Sequence, residues 1–155
     1  TSWTRLNRKY AGLVPGVKRG YTSSIAVYID QSGSVSNSDL ELAFANLRNL
    51  AKRTEFTTFH FDTSVDESSE STWKRGRAPN ILRTRCGGTD FECVTKHANK
   101  NNHRFDGYII ITDGEAYKPS PSRLKRGWLI VPNRKLMFDA DNRDFVMKMK
   151  PDHTL

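Results

Sequence analysis

The chain has 155 residues, enough for one domain with its own core. Its formal net charge is +8 and only 36% of its residues are apolar, so the surface is basic and very polar, which suits an acidic protein partner, nucleic acid or plain solubility. There is no run of about 18 apolar residues to span a membrane and no signal-peptide core at the N-terminus; two cysteines, Cys86 and Cys93, argue against a disulfide scaffold, and a reducing cytoplasm is the expected setting.

In chain order, residues 1–22 are basic and irregular, with Trp3, Leu6, Tyr10, Leu13 and Val14 available to wrap the segment onto the domain. Ile25, Val27 and Ile29 alternate within an apolar run over about 23–30, as in a strand buried on both faces of a parallel sheet. The run ends at Asp30-Gln31-Ser32-Gly33-Ser34. Leu40, Ala43, Phe44, Leu47, Leu50 and Ala51 then recur at helical spacing, and Ser38 with Glu41 fits a capping box. Phe56–Val65 reads as a strand, and 66–71 as a polar turn. Residues 72–85 read as a basic edge strand broken around Gly76–Pro79. After Cys86-Gly87-Gly88-Thr89-Asp90, a second helix is expected over about 90–101. Tyr108–Thr112 is an apolar strand closed by Asp113-Gly114-Glu115, and 116–126 is a loop with at most one helical turn. Trp128–Val131 is a further strand, and a short helix is expected near 141–149. The expected fold is α/β, with a doubly wound, mainly parallel sheet, one antiparallel edge strand and helices on both faces. The expected organisation is a single domain, 1–155: a wrapping segment 1–22, a core 23–133 and a C-terminal element 134–155.

Three turns carry chemistry. Asp30-x-Ser32-x-Ser34, Thr89 after a glycine pair, and Thr112-Asp113-Gly114 can all lie along one sheet edge. If the strands ending at Asp30 and Asp113 are neighbours, their carboxylates come close, and Gly87-Gly88 lets the third loop approach without Cβ clashes. Two carboxylates with neutral hydroxyls suit a hard divalent cation such as Mg²⁺, which demands octahedral oxygen coordination at about 2.0–2.1 Å. Such an ion stays electrophilic towards one more anionic oxygen.

The order, spacing and strand context of these turns resemble the metal-ion-dependent adhesion site of von Willebrand factor A (VWA) domains. More narrowly, the chain resembles the VWA-like C-terminal domain of predicted bacterial and phage metallopeptidases. Trp3, Arg8, Tyr10, Pro15-Gly16, Gly87-Gly88-Thr89-Asp90-Phe91 and the long loop before Trp128 carry that narrower likeness. It covers roughly residues 3–131. The resemblance implies a Rossmann-like fold and a Mg²⁺ or Mn²⁺ site built from Asp30, Ser32, Ser34, Thr89 and Asp113. It also implies a protein partner supplying an Asp or Glu, among AAA+ ATPases of the MoxR type. No His-Glu-x-x-His occurs, so a peptidase segment, if any, lies outside these residues and no enzymatic activity is expected.

Blander roles compete for the same residues. Ser34, Ser36 and Ser38 fit helix caps, Thr89 with Glu92 fits a capping box, and Asp113-Gly114 fits a hairpin turn. Cys86, Cys93, His97 and His103 invite zinc, but their spacing matches no standard module. The basic stretches Arg5–Lys9, Lys74–Arg85 and Arg123–Arg126 leave a nucleic-acid-associated module as an alternative function. A Mg²⁺-dependent phosphoester hydrolase is a second alternative, against which the hydroxyl-rich ligand set argues. Gly-x-Gly-x-x-Gly, Gly-x-x-x-x-Gly-Lys-Ser/Thr and Gly-x-Ser-x-Gly are all absent.

Overall fold

The computed structural model describes residues 24–52, 54–74 and 87–149. The expected wrapping segment at 1–22, most of the basic stretch 75–86 with Cys86, and the last residues lie outside them. The elements are β1 (Ile25–Asp30), α1 (Asn37–Ala51), β2 (Phe56–Phe61), β3 (Val65–Trp73), α2 (Phe91–Lys100), β4 (Gly107–Thr112), β5 (Lys125–Ile130) and β6 (Phe145–Lys148). They form a six-stranded sheet in the order β3-β2-β1-β4-β5-β6. Only β2 and β3 pair antiparallel; the other neighbours are parallel. The expected Rossmann-like, mainly parallel sheet with one antiparallel edge strand is therefore what the chain builds.

Strand alternation divides the core in two. Val27, Ile29, Ile109, Ile111 and Leu129 meet Leu40, Ala43, Leu47 and Leu50 of α1 in one cluster. Ala26, Tyr28, Tyr108, Ile110, Trp128 and Ile130 meet Phe91, Val94 and Ala98 of α2 in the other. All six residues of β1 are buried, as are all six of β4. That is why both read as unbroken apolar runs, and it puts them at the sheet centre.

Several local expectations are corrected. Residues 75–85 of the expected basic edge strand lie outside the described residues, and among the described residues the antiparallel edge strand is Val65–Trp73. Its Asp/Glu/Ser-rich sequence has little strand propensity; the pairing is held instead by Phe56 stacked on Trp73 at 5.3 Å and by Trp73 Nε1 donating to Thr58 Oγ1. The expected turn at 66–71 is a bulge in that strand, where the register shifts between Thr58 and His60 and Ser69 Oγ accepts from His60 N at 2.7 Å. The reversal itself lies at 62–64, where Asp62 Oδ1 accepts from Thr63 N.

At the C-terminus a strand replaces the expected helix. Phe145 and Met147 alternate with Val146 and Lys148, and Met149 continues the inward face. A period of two was therefore present. Phe145 also fills the space over Gly127, where a Cβ would meet its ring carbons at 2.8 Å. Below β6, the buried Arg126 guanidinium donates to Asp144 at 2.7 Å, to Asp141 at 3.1 Å and to Thr95 at 3.0 Å, fastening the edge strand's entry to α2.

Candidate metal centre

The site grows from the adjacency of β1 and β4. Their register places Ile29 opposite Ile111, so Asp30 and Thr112 come next at the carboxyl ends. Thr112 Oγ1 donates to Asp30 Oδ2 at 2.6 Å. The other oxygen, Oδ1, accepts from Ser32 N at 2.8 Å, which curls the turn back over the strand end. Ser32 Oγ lies 3.1 Å from Ser34 Oγ. Asp30 and Ser32 are buried, while Ser34 is exposed, so the turn opens to solvent on the Ser34 side.

Asp113 leaves β4 beside this turn and is 1% exposed. Its Oδ1 accepts from Glu115 N at 3.0 Å. Its Oδ2 is buried and has no hydrogen-bond partner among the described residues. Burial pushes the Asp30 carboxyl above the usual carboxylate range, and the charge of Asp113 adds a smaller push. Hydrogen bonds from Thr112 and Ser32 oppose it. Among the described residues no Lys or Arg pairs with either carboxylate. A buried carboxylate oxygen without a donor, as on Asp113, is costly, and two buried carboxyl groups side by side call for a positive charge.

The third loop is tied in by two backbone bonds. Gly33 N donates to Gly87 O at 3.1 Å, and Asp90 N donates to Asp62 O at 2.8 Å. A Cβ on Gly87 would lie 2.7 Å from Asp62 Oδ2, whereas one on Gly88 would make only an ordinary 3.5 Å contact. Gly87 is thus the more crowded of the two, lying against the Asp62 carboxylate. Thr89, half-buried, sits two residues along.

The cap and turn roles fall elsewhere. Ser36, not Ser38, caps α1, accepting from Asp39 N at 3.1 Å. Asp90, not Thr89, caps α2, accepting from Glu92 N at 2.9 Å. Asp113-Gly114 joins parallel strands, so it is no hairpin. Ser34 and Thr89 are therefore not used as caps.

Two neighbouring residues join the five candidates. Thr112, at the head of the Thr112-Asp113-Gly114 turn, holds Asp30 through its hydroxyl, which also accepts from Gly114 N. Asp62, 6% exposed, ends β2 as Asp30 ends β1; an aromatic strand stopping at Asp was the available signal. Of the zinc candidates, Cys86 lies outside the described residues. Tyr28 Oη and Glu67 Oε1 occupy both ring nitrogens of His97, at 2.8 and 2.7 Å, and Cys93 Sγ donates to Asp90 O. Among the described residues no group of three or more His, Cys, Asp or Glu side chains is arranged to hold a metal. Any cation here must rest on hydroxyls and two carboxylates.

A family model described as VWA-like domain (DUF2201) matches residues 25–138. The chain belongs to this VWA-like family. No curated protein matches it. Among solved structures it is similar to the ArnB paralog VWA2 from Sulfolobus acidocaldarius, with a TM-score of 0.54 and 14% identity over 72% of this chain and 35% of that one. It is also similar to proximal thread matrix protein 1 from the mussel byssus, with a TM-score of 0.56 and 12% identity over 81% of this chain and 43% of that one. This chain thus spans less than half the length of either, and at such identities the likeness concerns the fold. Membership of the VWA-like family supports a protein-interaction module in general terms; what the module does must be argued from its site.

Proposed function

We propose that this VWA-like domain binds a protein partner through a divalent cation, Mg²⁺ or Mn²⁺, and is not an enzyme. Asp30, Ser32, Ser34, Thr89 and Asp113 would hold the ion. The observation that carries this is the buried Oδ2 of Asp113, without a hydrogen-bond partner among the described residues, beside a buried Asp30 that no cationic side chain among them neutralises. The donor set fits a hard cation, since every candidate ligand offers oxygen. Bound there, the ion would supply a Lewis-acidic position for one carboxylate of a partner.

The chain's own residues set up that position. Thr112 fixes the orientation of Asp30, and the Ser32 amide fixes its second oxygen. The Gly87 carbonyl, accepting from Gly33 N, holds the third loop against the first. The exposed Ser34 marks the side from which a partner reaches the site. The basic net charge would steer an acidic partner towards it. A MoxR-type AAA+ ATPase in the cytoplasm is the partner we propose. Among the described residues no helix is long and apolar enough to cross a membrane.

The test is binding to a MoxR-type ATPase measured in Mg²⁺, in EDTA, and with Asp30→Ala. We expect binding in Mg²⁺ that is lost in the other two conditions. Binding that persists in EDTA would count against a cation. If nucleic acid were the true ligand, binding to duplex or single strands would survive EDTA and fall steeply with salt. Turnover of a generic phosphoester with Mg²⁺ alone would instead mark a hydrolase.

A further inference from the structure

Among the described residues, three large apolar side chains stand well out into solvent: Tyr117 at 87%, Met137 at 59% and Val146 at 44%. Two of the three sit on the loops that leave β4 and β5 at their carboxyl ends, the edge that carries Asp30 and Asp113. We infer that Tyr117 and Met137 form the apolar half of the partner-binding surface, and that the partner is a protein segment carrying an Asp or Glu next to an apolar side chain. This rests on the cation reading of the Asp30–Asp113 site.

The two loops are one unit. The Gly114 carbonyl accepts from Ala116 N at 3.1 Å and from Met137 N at 3.3 Å. Tyr117 and Met137 therefore hang, within one residue, from the carbonyl of the residue that follows Asp113. Gly114 has φ of 84°, and a Cβ there would run into the Lys135 carbonyl. Arg134 ties the loops a second time, donating to Glu115 Oε1 at 2.6 Å.

Exposure of the pair follows from how its neighbours pack. Ala116, Leu136 and Phe138 pack against the α2-side core. The residues between and after them, Met137 and Tyr117, are thereby turned outward on a backbone that cannot relax inward. A tyrosine and a methionine are the residue types enriched at protein interfaces, and Tyr offers contact area at little entropic cost. Lys135, exposed on the same loop, adds positive charge beside the apolar pair. The edge thus offers a carboxylate acceptor, a cationic flank and an apolar rim in sequence. An extended acidic segment whose neighbouring side chain is apolar complements all three.

The experiment is selection of a random peptide library displayed on phage against the immobilised protein in Mg²⁺, followed by binding of the selected peptides, as synthetic peptides, to Tyr117→Ser/Met137→Ser. Mn²⁺ binding by the wild type and the double variant is measured by calorimetry alongside. We expect selected peptides with Asp or Glu flanked by an apolar residue, binding lost in EDTA, and binding weakened about tenfold by the double substitution with Mn²⁺ affinity unchanged. Peptides that are acidic but indifferent to the double substitution would overturn the apolar rim while leaving the cation site standing. A wild type that takes up no Mn²⁺ would overturn the cation reading, and this inference with it.

Discussion

Thr112 Oγ1 lies 2.6 Å from Asp30 Oδ2, a contact 82 residues apart in sequence that closes the carboxyl ends of the two central strands over a buried acid. A single hydroxyl therefore links the fold's centre to its candidate site. Thr112→Val keeps the shape and removes the donor. We expect it to cost about 1–3 kcal/mol, the usual cost of leaving a buried acceptor short of a donor, and to weaken cation binding because Asp30 is no longer held. Thr112→Ser should recover most of both. Urea denaturation and calorimetry of the two variants check this.

Gly114 is the second fixed point. Its left-handed φ and the Lys135 carbonyl against its missing Cβ leave no room for a side chain. Gly114→Ala should destabilise by about 2 kcal/mol or more. Gly88→Ala, whose Cβ would make only an ordinary 3.5 Å contact with Thr63, should stay within about 0.5 kcal/mol. Equal losses in denaturation midpoints would show that the loop junction is not rigid.

His60 makes stability depend on pH. Burial pushes its imidazole below the ordinary value, with Asp66 opposing only in part. The folded state therefore favours the neutral ring more than the unfolded state does. The stability it contributes is fully present above about pH 6.5, the unfolded value, and is lost as pH falls below that towards the lower folded pKa. We expect the melting temperature to decline from about pH 7 to about pH 5, with a shallower decline in His60→Leu. Parallel slopes for the two proteins would show that His60 is not the group responsible.

Much of the fold could be read in the sequence because its central elements agree with their local signals. The runs ending at Asp30 and Thr112 are apolar on both faces, and α1 has a clean helical stripe. β3 was missed because its polar sequence is an edge strand held by cross-strand aromatics, which no local pattern reveals. β6 was missed although Phe145, Met147 and Met149 follow a two-residue period, because so short a run does not separate strand from helix. The candidate site was legible in its turns: Asp30, Ser32 and Ser34 form one of them, and Asp113 stands beside it. What the sequence could not show was the hydroxyl of Thr112 between the two strands, or that Asp113 would be left with an unused oxygen.

The most direct measurement is a calorimetric titration of Mn²⁺ and Mg²⁺ into the wild type and Asp113→Ala. The expected result is saturable binding by the wild type that is abolished in the variant while the fold, read by circular dichroism, is kept. Absence of binding by the wild type, or equal binding by both proteins, would contradict the cation site.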